Sequence, residues 1–347
     1  MESRFDFGLV TFGDVTTDAE GRLLSHARVL RNLVEEAIVA DRSGLDVFGV
    51  GEHHRADFAV SAPEVVLAAI AERTTNIRLG SAATVLGADD PVRVFQRFST
   101  LNALSDGRAE VMVGRGWFVE AFALFGFKLA DYDALYAEKL DLFAQLLRRD
   151  VVDWRGEMRP PLTRQRVYPP LEAPLPTWIA VGETPQSILR AAQYDFPLML
   201  AVIGGEPERF RPLTDLYRAA FAKLNRPLRP IGVHSIGYVA DDDARAREEF
   251  FPHYKTLRDR LGAERGWPPI ERAKFDAEVD RGSLYVGSPE TVGRKMALAM
   301  RALGACRFDL KYSVGTLPHE KLLRSIELFG KRAAPIAREN LVEVVAR

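Results

Sequence analysis

The sequence predicts a (β/α)8 barrel, built as one domain over residues 1–347 with irregular insertions near 151–174 and 262–283. Three observations carry that expectation. Strand-like and helix-like runs alternate from end to end, and eight of the runs read as strands. Small or polar clusters sit at the ends of successive strand-like runs, where a barrel gathers its site. The rival architecture, a doubly wound open sheet, would carry a glycine-rich turn after its first strand, and Gly13-Asp14-Val15-Thr16 is not one.

The elements follow in order. Residues 5–12 are rich in aromatic and aliphatic side chains and end at Gly13-Asp14, a strand and its turn. Residues 27–43 place Val29, Leu30, Leu33, Val34, Ala37 and Ile38 at helical spacing, and Gly44 stops the run. Strands are expected at 47–51, 77–85 and 109–113. Helices follow them at 62–75, with Pro63 near its first position, at 91–104 and at 131–149. Residues 151–174 lack period and read as an excursion. The alternation resumes with strands at 177–181, 198–203 and 231–239 and helices at 185–194, 207–224 and 243–261. After the irregular stretch 262–283, helices at 289–303 and 318–329 flank a last strand at 307–314.

Bulk properties exclude several function classes. The 347 residues carry a net charge of −1 with both signs interspersed, so neither nucleic acid nor an anionic membrane is an expected partner. No apolar run reaches the roughly 20 residues needed to span a bilayer. The first residues lack the basic-then-apolar layout of a secretory signal. One cysteine, Cys306, excludes an internal disulfide framework and reads as a structural thiol. Together these features lead us to expect a cytoplasmic protein.

The chemistry-bearing residues stand at strand ends. Gly51-Glu52-His53-His54 follows the second strand; a histidine near its ordinary pKa of about 6.5 exchanges a proton at neutral pH, and Glu52 is placed to fix its tautomer. Tandem histidines also invite a metal. However, His26, His234, His253 and His319 are scattered and supply no third ligand at metal-like spacing, so no metal is expected. Gly80 to Thr84 has almost no side-chain volume and lets a flat group approach the backbone. Arg115, between Gly114 and Gly116, is placed to meet an anion, and Trp117 could stack on a ring. Gly182-Glu183-Thr184-Pro185 opens a helix, with Thr184 as cap and Ser187 in the first turn, a phosphate-type site; Gly287-Ser288-Pro289-Glu290 is a second candidate of the same kind.

On these five motifs, taken in order over nearly the whole chain, the sequence resembles the luciferase-like flavin monooxygenases, in the branch of FMN-dependent oxidoreductases. The resemblance implies FMN at the strand ends, with reduced FMN as a possible co-substrate and a deazaflavin as the less favoured cofactor. It implies that His53 is catalytic and that a non-prolyl cis peptide joins Ala82 and Ala83 beneath the ring. Gly114 lies where the light-emitting subunit of luciferase has a reactive cysteine, so light emission is not implied. Arg115, Gly182, Glu183, Thr184 and Ser187 correspond to the phosphate end, Met199 and Val202 to the ring. Asp133 stands where luciferase has a second phosphate arginine, which weakens the grip or shifts it to another residue. His54, Trp117 and His234 are expected in the substrate pocket, with Tyr168, Trp154 and Tyr238 as further lining candidates, and the loops around Phe58, Trp117 and 151–174 over its mouth. The activity implied is a monooxygenase acting on a small, lipophilic or aldehyde-like compound, with a flavin reductase as partner and a homodimer as assembly. Deazaflavin-dependent hydride transfer and a non-catalytic flavin-binding accessory role are the alternatives.

Overall fold

A computed structural model describes residues 5–18, 20–116 and 118–345. Eight parallel strands close on themselves: β1 Asp6–Thr11, β2 Val47–Val50, β3 Arg78–Ser81, β4 Ala109–Gly114, β5 Thr177–Val181, β6 Leu198–Ala201, β7 Ile231–Val239 and β8 Arg307–Lys311. Pairing runs in chain order from β1 to β8, and β8 returns to β1 in the register Gly8↔Asp309, Val10↔Lys311. The eight expected strands are these eight. Their connecting helices are stopped where the sequence signals stand. Asp90 caps Pro91–Leu104 and Ser288 caps Pro289–Leu303, while Gly44, Gly107 and Gly304 turn with positive φ just past three helix ends.

Both insertions differ from their expected irregular form. Residues 151–174 contain an antiparallel hairpin, Val152–Trp154 with Leu162–Gln165. It packs on the outer helices: Trp154 Nε1 donates to Asp141 at 2.9 Å, and Ser99 donates to the carbonyl of Pro169 at 2.7 Å. In the second stretch the helix from Asp243 continues to Arg265 and ends on left-handed Gly266, and a further helix spans Arg272–Asp280. Two further parallel strands extend the sheet: Thr84–Val85 pairs with the end of β4, and Leu284–Gly287 with the distal half of β7. Periodicity missed the hairpin, the added helix and Leu284–Gly287 because they are short: three or four residues per strand and nine in the helix Arg272–Asp280.

Side chains pointing into the barrel form layers. The layer at the N-terminal end is ionic. Arg307 Nη1 donates to Glu110 at 2.6 Å, while its Nε and Nη2 each donate to Asp309 at 2.8 Å, and all three side chains are at most 2% exposed. Glycines make room for it: a Cβ on Gly8 would stand 2.5 Å from Asp309 Oδ1, and one on Gly80 2.9 Å from Glu110 Cγ. Above it lies an apolar layer of Val10, Ala82, Met112, Trp178 and Met199, with the Trp178 ring centroid 4.8 Å from the guanidinium of Arg307.

Removing the cation should leave Asp309 buried and unpaired and Glu110 with only its longer contact to Arg78 at 3.5 Å. Arg307→Met is expected to cost about 3–5 kcal/mol in urea unfolding. Adding Glu110→Gln and Asp309→Asn to it should recover most of that loss.

Candidate active site

Above the apolar layer, the C-terminal ends of the strands surround a platform of Ala82, Ala83 and Gly114. The Ala82–Ala83 peptide is cis, as the resemblance implied. A Cβ on Gly114 would only touch Ala83 Cβ at 3.4 Å and Ala180 Cβ at 3.5 Å, so bare backbone and methyl groups face the mouth here. Met199 packs beneath this platform, in the same apolar layer as Ala82. Val202, expected beside it, lies instead with Leu198 and Leu200 in the core outside the barrel, because alternation along β6 turns every second side chain outward.

His53 stands over this platform in an aromatic cage. Its ring centroid is 4.4 Å from Phe12, 4.5 Å from Phe58 and 5.3 Å from Phe118. Its Nδ1 is buried without a hydrogen-bond partner. Burial lowers its pKa to about 3, helped by the positive Lys311, then His54 and Arg55. At neutral pH His53 is therefore an uncharged imidazole, not one poised at its ordinary value. Glu52 does not orient it. That carboxylate accepts from His54 Nε2 at 2.8 Å and from the Val85 backbone at 2.8 Å, so His54 is the tethered histidine of the pair. Successive residues leaving a strand point to opposite sides, which separates the two roles. His54 meets Phe125 edge-on at 5.1 Å. His234, inward-facing on β7, stacks at 6.4 Å on the other flank of Phe12; burial and Lys311 lower its pKa to about 4.

Two features of this mouth were not anticipated. Lys311, fully buried at the end of β8, donates to Asp14 at 2.9 Å and to the Ser313 carbonyl, and lies 4.6 Å from the Phe12 ring centroid. The alternation Arg307, Asp309, Lys311, Ser313 along one strand was the available signal, since polar groups at every second position of a buried strand must point inward. Second, Arg55 ties its own loop to two helices. It donates to Asp57 at 3.1 Å, Glu120 at 2.5 Å and Glu264 at 2.5 Å, with Phe118 4.5 Å beneath it. These contacts hold the loop after β2 against the segment after β4 and against the last turn of the helix Asp243–Arg265, beside His53.

The phosphate-type end lies between β4 and β5. Arg115 Nη2 donates to the Thr184 hydroxyl at 3.0 Å and Nη1 to Asp133 at 2.9 Å. Thr184 precedes Pro185–Gln193 but makes no capping bond with its side chain, so that helix start remains open; Ser187 is buried in its first turn. Gly182 faces open space. Glu183 is exposed and pairs with Arg209. The second candidate site is filled by the protein itself: Asp243 accepts from the Ser288 backbone at 2.6 Å and the Thr291 hydroxyl at 2.9 Å. Its carboxylate occupies the place an anion would take, which leaves the Thr184 site as the open one.

Trp117 lies outside the described residues. Of the other lining candidates, Trp154 belongs to the outer hairpin, Tyr168 is exposed on it, and Tyr238 turns outward to Glu249 at 2.7 Å. Among the described residues no His, Cys, Asp and Glu group has a metal-holding arrangement, and no helix is long and apolar enough to cross a membrane.

A parallel barrel with a caged imidazole and an anion-type pocket at its C-terminal mouth is the build of an oxidoreductase barrel. The chain belongs to the luciferase-like monooxygenases, whose family model matches residues 5–306. It is 29% identical to the 4-hydroxyprotoasukamycin monooxygenase of Streptomyces nodosus subsp. asukaensis, covering 88% of this chain and 86% of that one. An F420-dependent glucose-6-phosphate dehydrogenase of Amycolatopsis mediterranei is 31% identical over 44% of this chain and 48% of its own. Among solved structures, monooxygenase RslO1 from Streptomyces bottropensis superposes with a TM-score of 0.83 at 22% identity, covering 95% of this chain and 99% of its own. The oxygenating constituent of 3,6-diketocamphane monooxygenase from Pseudomonas putida, solved with FMN, gives 0.75 at 19%, with 96% and 98% covered.

The buried histidines make stability depend on pH. Their folded-state pKa values lie below the ordinary 6.5, so the unfolded chain takes up protons first as pH falls. Stability is expected to be complete above about pH 6.5 and to decline between there and about pH 3, by about 1–3 kcal/mol per unit. Urea midpoints from pH 8 to 4 measure this, and His234→Gln should flatten the slope. Nitrogen-15 NMR should show His53 uncharged from pH 8 to 5.

Proposed function

We propose that this protein is a flavin-dependent monooxygenase that uses reduced FMN and oxygen on a small organic substrate. The observation that carries the reading is His53: an uncharged imidazole with an unpartnered Nδ1, caged by aromatic rings over a platform of alanines. The residues present fit a flavin. Ala82, Ala83 and Gly114 offer a flat surface without side-chain bulk, and Arg115, Thr184 and Ser187 offer an anion site one strand away. When bound, reduced FMN supplies the electrons and the reactivity toward oxygen. The chain's own residues do the rest. Arg115 and Thr184 hold the phosphate, with Ser187 and the helix start behind them; Glu183 and Gly182 border it. Met199 and the alanine platform support the ring. His53 accepts a proton at Nδ1 from the reacting species, while Phe12, Phe58 and Phe118 exclude water. His54, held by Glu52, and His234 border the substrate's side of the mouth.

FMN is favoured over a deazaflavin because the monooxygenase relative aligns along most of the chain, whereas the F420-dependent relative aligns along less than half. That second alignment is the observation behind the alternative, hydride transfer without oxygen. A diffusing reduced flavin, a separate flavin reductase and a homodimeric assembly in the cytoplasm complete the proposal; light scattering showing only monomer would remove the dimer.

Anaerobic titration with reduced FMN followed by a pulse of oxygenated buffer tests the chemistry. A transient absorbance band distinct from oxidised flavin, together with oxygen uptake, is expected. Binding without oxygen uptake would point to hydride transfer. His53→Ala should keep flavin binding within a few-fold and slow the oxygen-dependent phase by about 10²–10⁴. An unchanged rate would favour the accessory role. Asp133→Asn frees Arg115 from an exposed ion pair and should tighten reduced FMN by about two- to fivefold, in keeping with the small worth of such pairs.

A further inference from the structure

Arg115 has a neighbour that the sequence did not single out. Tyr132 and Tyr136 stand one turn apart on the helix Tyr132–Leu146, and each carries an arginine on its ring: Arg115 at 5.5 Å from the Tyr132 centroid, Arg190 at 5.4 Å from that of Tyr136. Residues at this spacing lie on the same helix face, about 5–6 Å apart, so the two guanidiniums are brought to adjoining rings. Only one of them has an acid. Asp133 pairs with Arg115, whereas Arg190, half-buried, makes neither an ion pair nor a side-chain hydrogen bond among the described residues. Asp141, the acid farther along the same helix, is occupied by Trp154 at 2.9 Å, Gln145 at 3.0 Å and Tyr194 at 3.2 Å.

The Tyr136 hydroxyl adds an independent sign. It is fully buried and has no hydrogen-bond partner, and the two cations acting on it are Arg190 first and Arg115 second. A buried hydroxyl without a partner is costly unless a ligand satisfies it, and the Arg190 guanidinium, also without a protein partner, lies 5.4 Å from the centroid of the same ring. Arg190 also lies three residues beyond Ser187 on the helix that Thr184 opens, and long helical side chains lean back toward the N-terminus, toward that open start.

We propose that Arg190 is the second guanidinium of the phosphate pocket and that the Tyr136 hydroxyl is a further donor to it, so that the pocket selects a phosphate monoester dianion. The inference rests on the flavin reading given above for where the ligand sits. It accounts for how the pocket holds a dianion although an acid, Asp133, stands beside Arg115. A flavin carrying a terminal phosphate gains from Arg190; riboflavin, which lacks that group, does not.

The test compares anaerobic binding of reduced FMN and reduced riboflavin to the wild type, Arg190→Met, Arg190→Lys and Tyr136→Phe. Thermal stabilisation by inorganic phosphate is measured on the same proteins. Arg190→Met should weaken FMN by about 10- to 100-fold and leave riboflavin within twofold, with Arg190→Lys in between. Tyr136→Phe, which removes an unpaired hydroxyl, should weaken FMN several-fold without lowering Tm. Equal effects on both flavins, or on neither, would overturn the proposal. If neither flavin binds the wild type, the flavin reading falls and phosphate decides for Arg190. A Tm rise in the wild type that Arg190→Met abolishes supports it, and no such difference overturns it. Should Arg190→Met not fold, the lysine and phenylalanine variants carry the same comparison.

Discussion

The ion cluster at the foot of the barrel sets what everything above it can be. Arg307 crosses the interior to Glu110 while gripping Asp309 on its own strand, and Gly8 and Gly80 have no side chain because the charges need the space. A buried arginine with two carboxylates is satisfied only in one geometry, which also fixes the register of β8 against β1 and the inward faces of β4 and β8. The tryptophan and methionines above it seal the charges from the mouth. The platform that follows can then be small and apolar without leaving a void.

Polarity changes in steps along the barrel axis: ions, then an apolar layer, then the histidines and Lys311 at the mouth. The last step matters for chemistry. Burial and the nearby Lys311 keep both imidazoles of the site uncharged at neutral pH, His53 inside a cage of phenylalanines and His234 against Phe12. Lys311 itself is held by Asp14, so the positive charge stays in place beneath Phe12. The aromatic cage thus does two things at once, excluding water and setting the protonation state of the group that it encloses.

The loops above the mouth are tied by charge, not by a shared apolar core. Arg55 reaches one acid in its own loop and two on neighbouring helices, and the phenylalanine beneath its guanidinium forms one wall around His53. At the neighbouring pocket the arrangement is reversed: Arg115 pairs with Asp133 and Glu183 with Arg209, while Arg190 has no acid among the described residues. One end of the mouth is neutralised within the protein, and the other keeps an excess of positive charge for a ligand.

Residue order alone determined the eight barrel strands, most helix starts and stops, and the cluster of His53, Ala82, Ala83, Arg115 and Thr184 at strand ends. These are local properties: hydrophobic period, proline and glycine at helix ends, and motif spacing all act within about ten residues. The tertiary structure decided which neighbours those residues meet. Glu52 could have served either histidine, and its partner was settled by the direction in which each side chain leaves β2. Two helix starts looked alike as anion sites until Asp243, 45 residues before Ser288, filled one of them. Lys311 meets Asp14 across 297 residues, and Arg190 finds Tyr136 through the packing of two outer helices. A side chain's partner, burial and protonation state depend on groups remote in sequence, so they emerge only when the barrel closes.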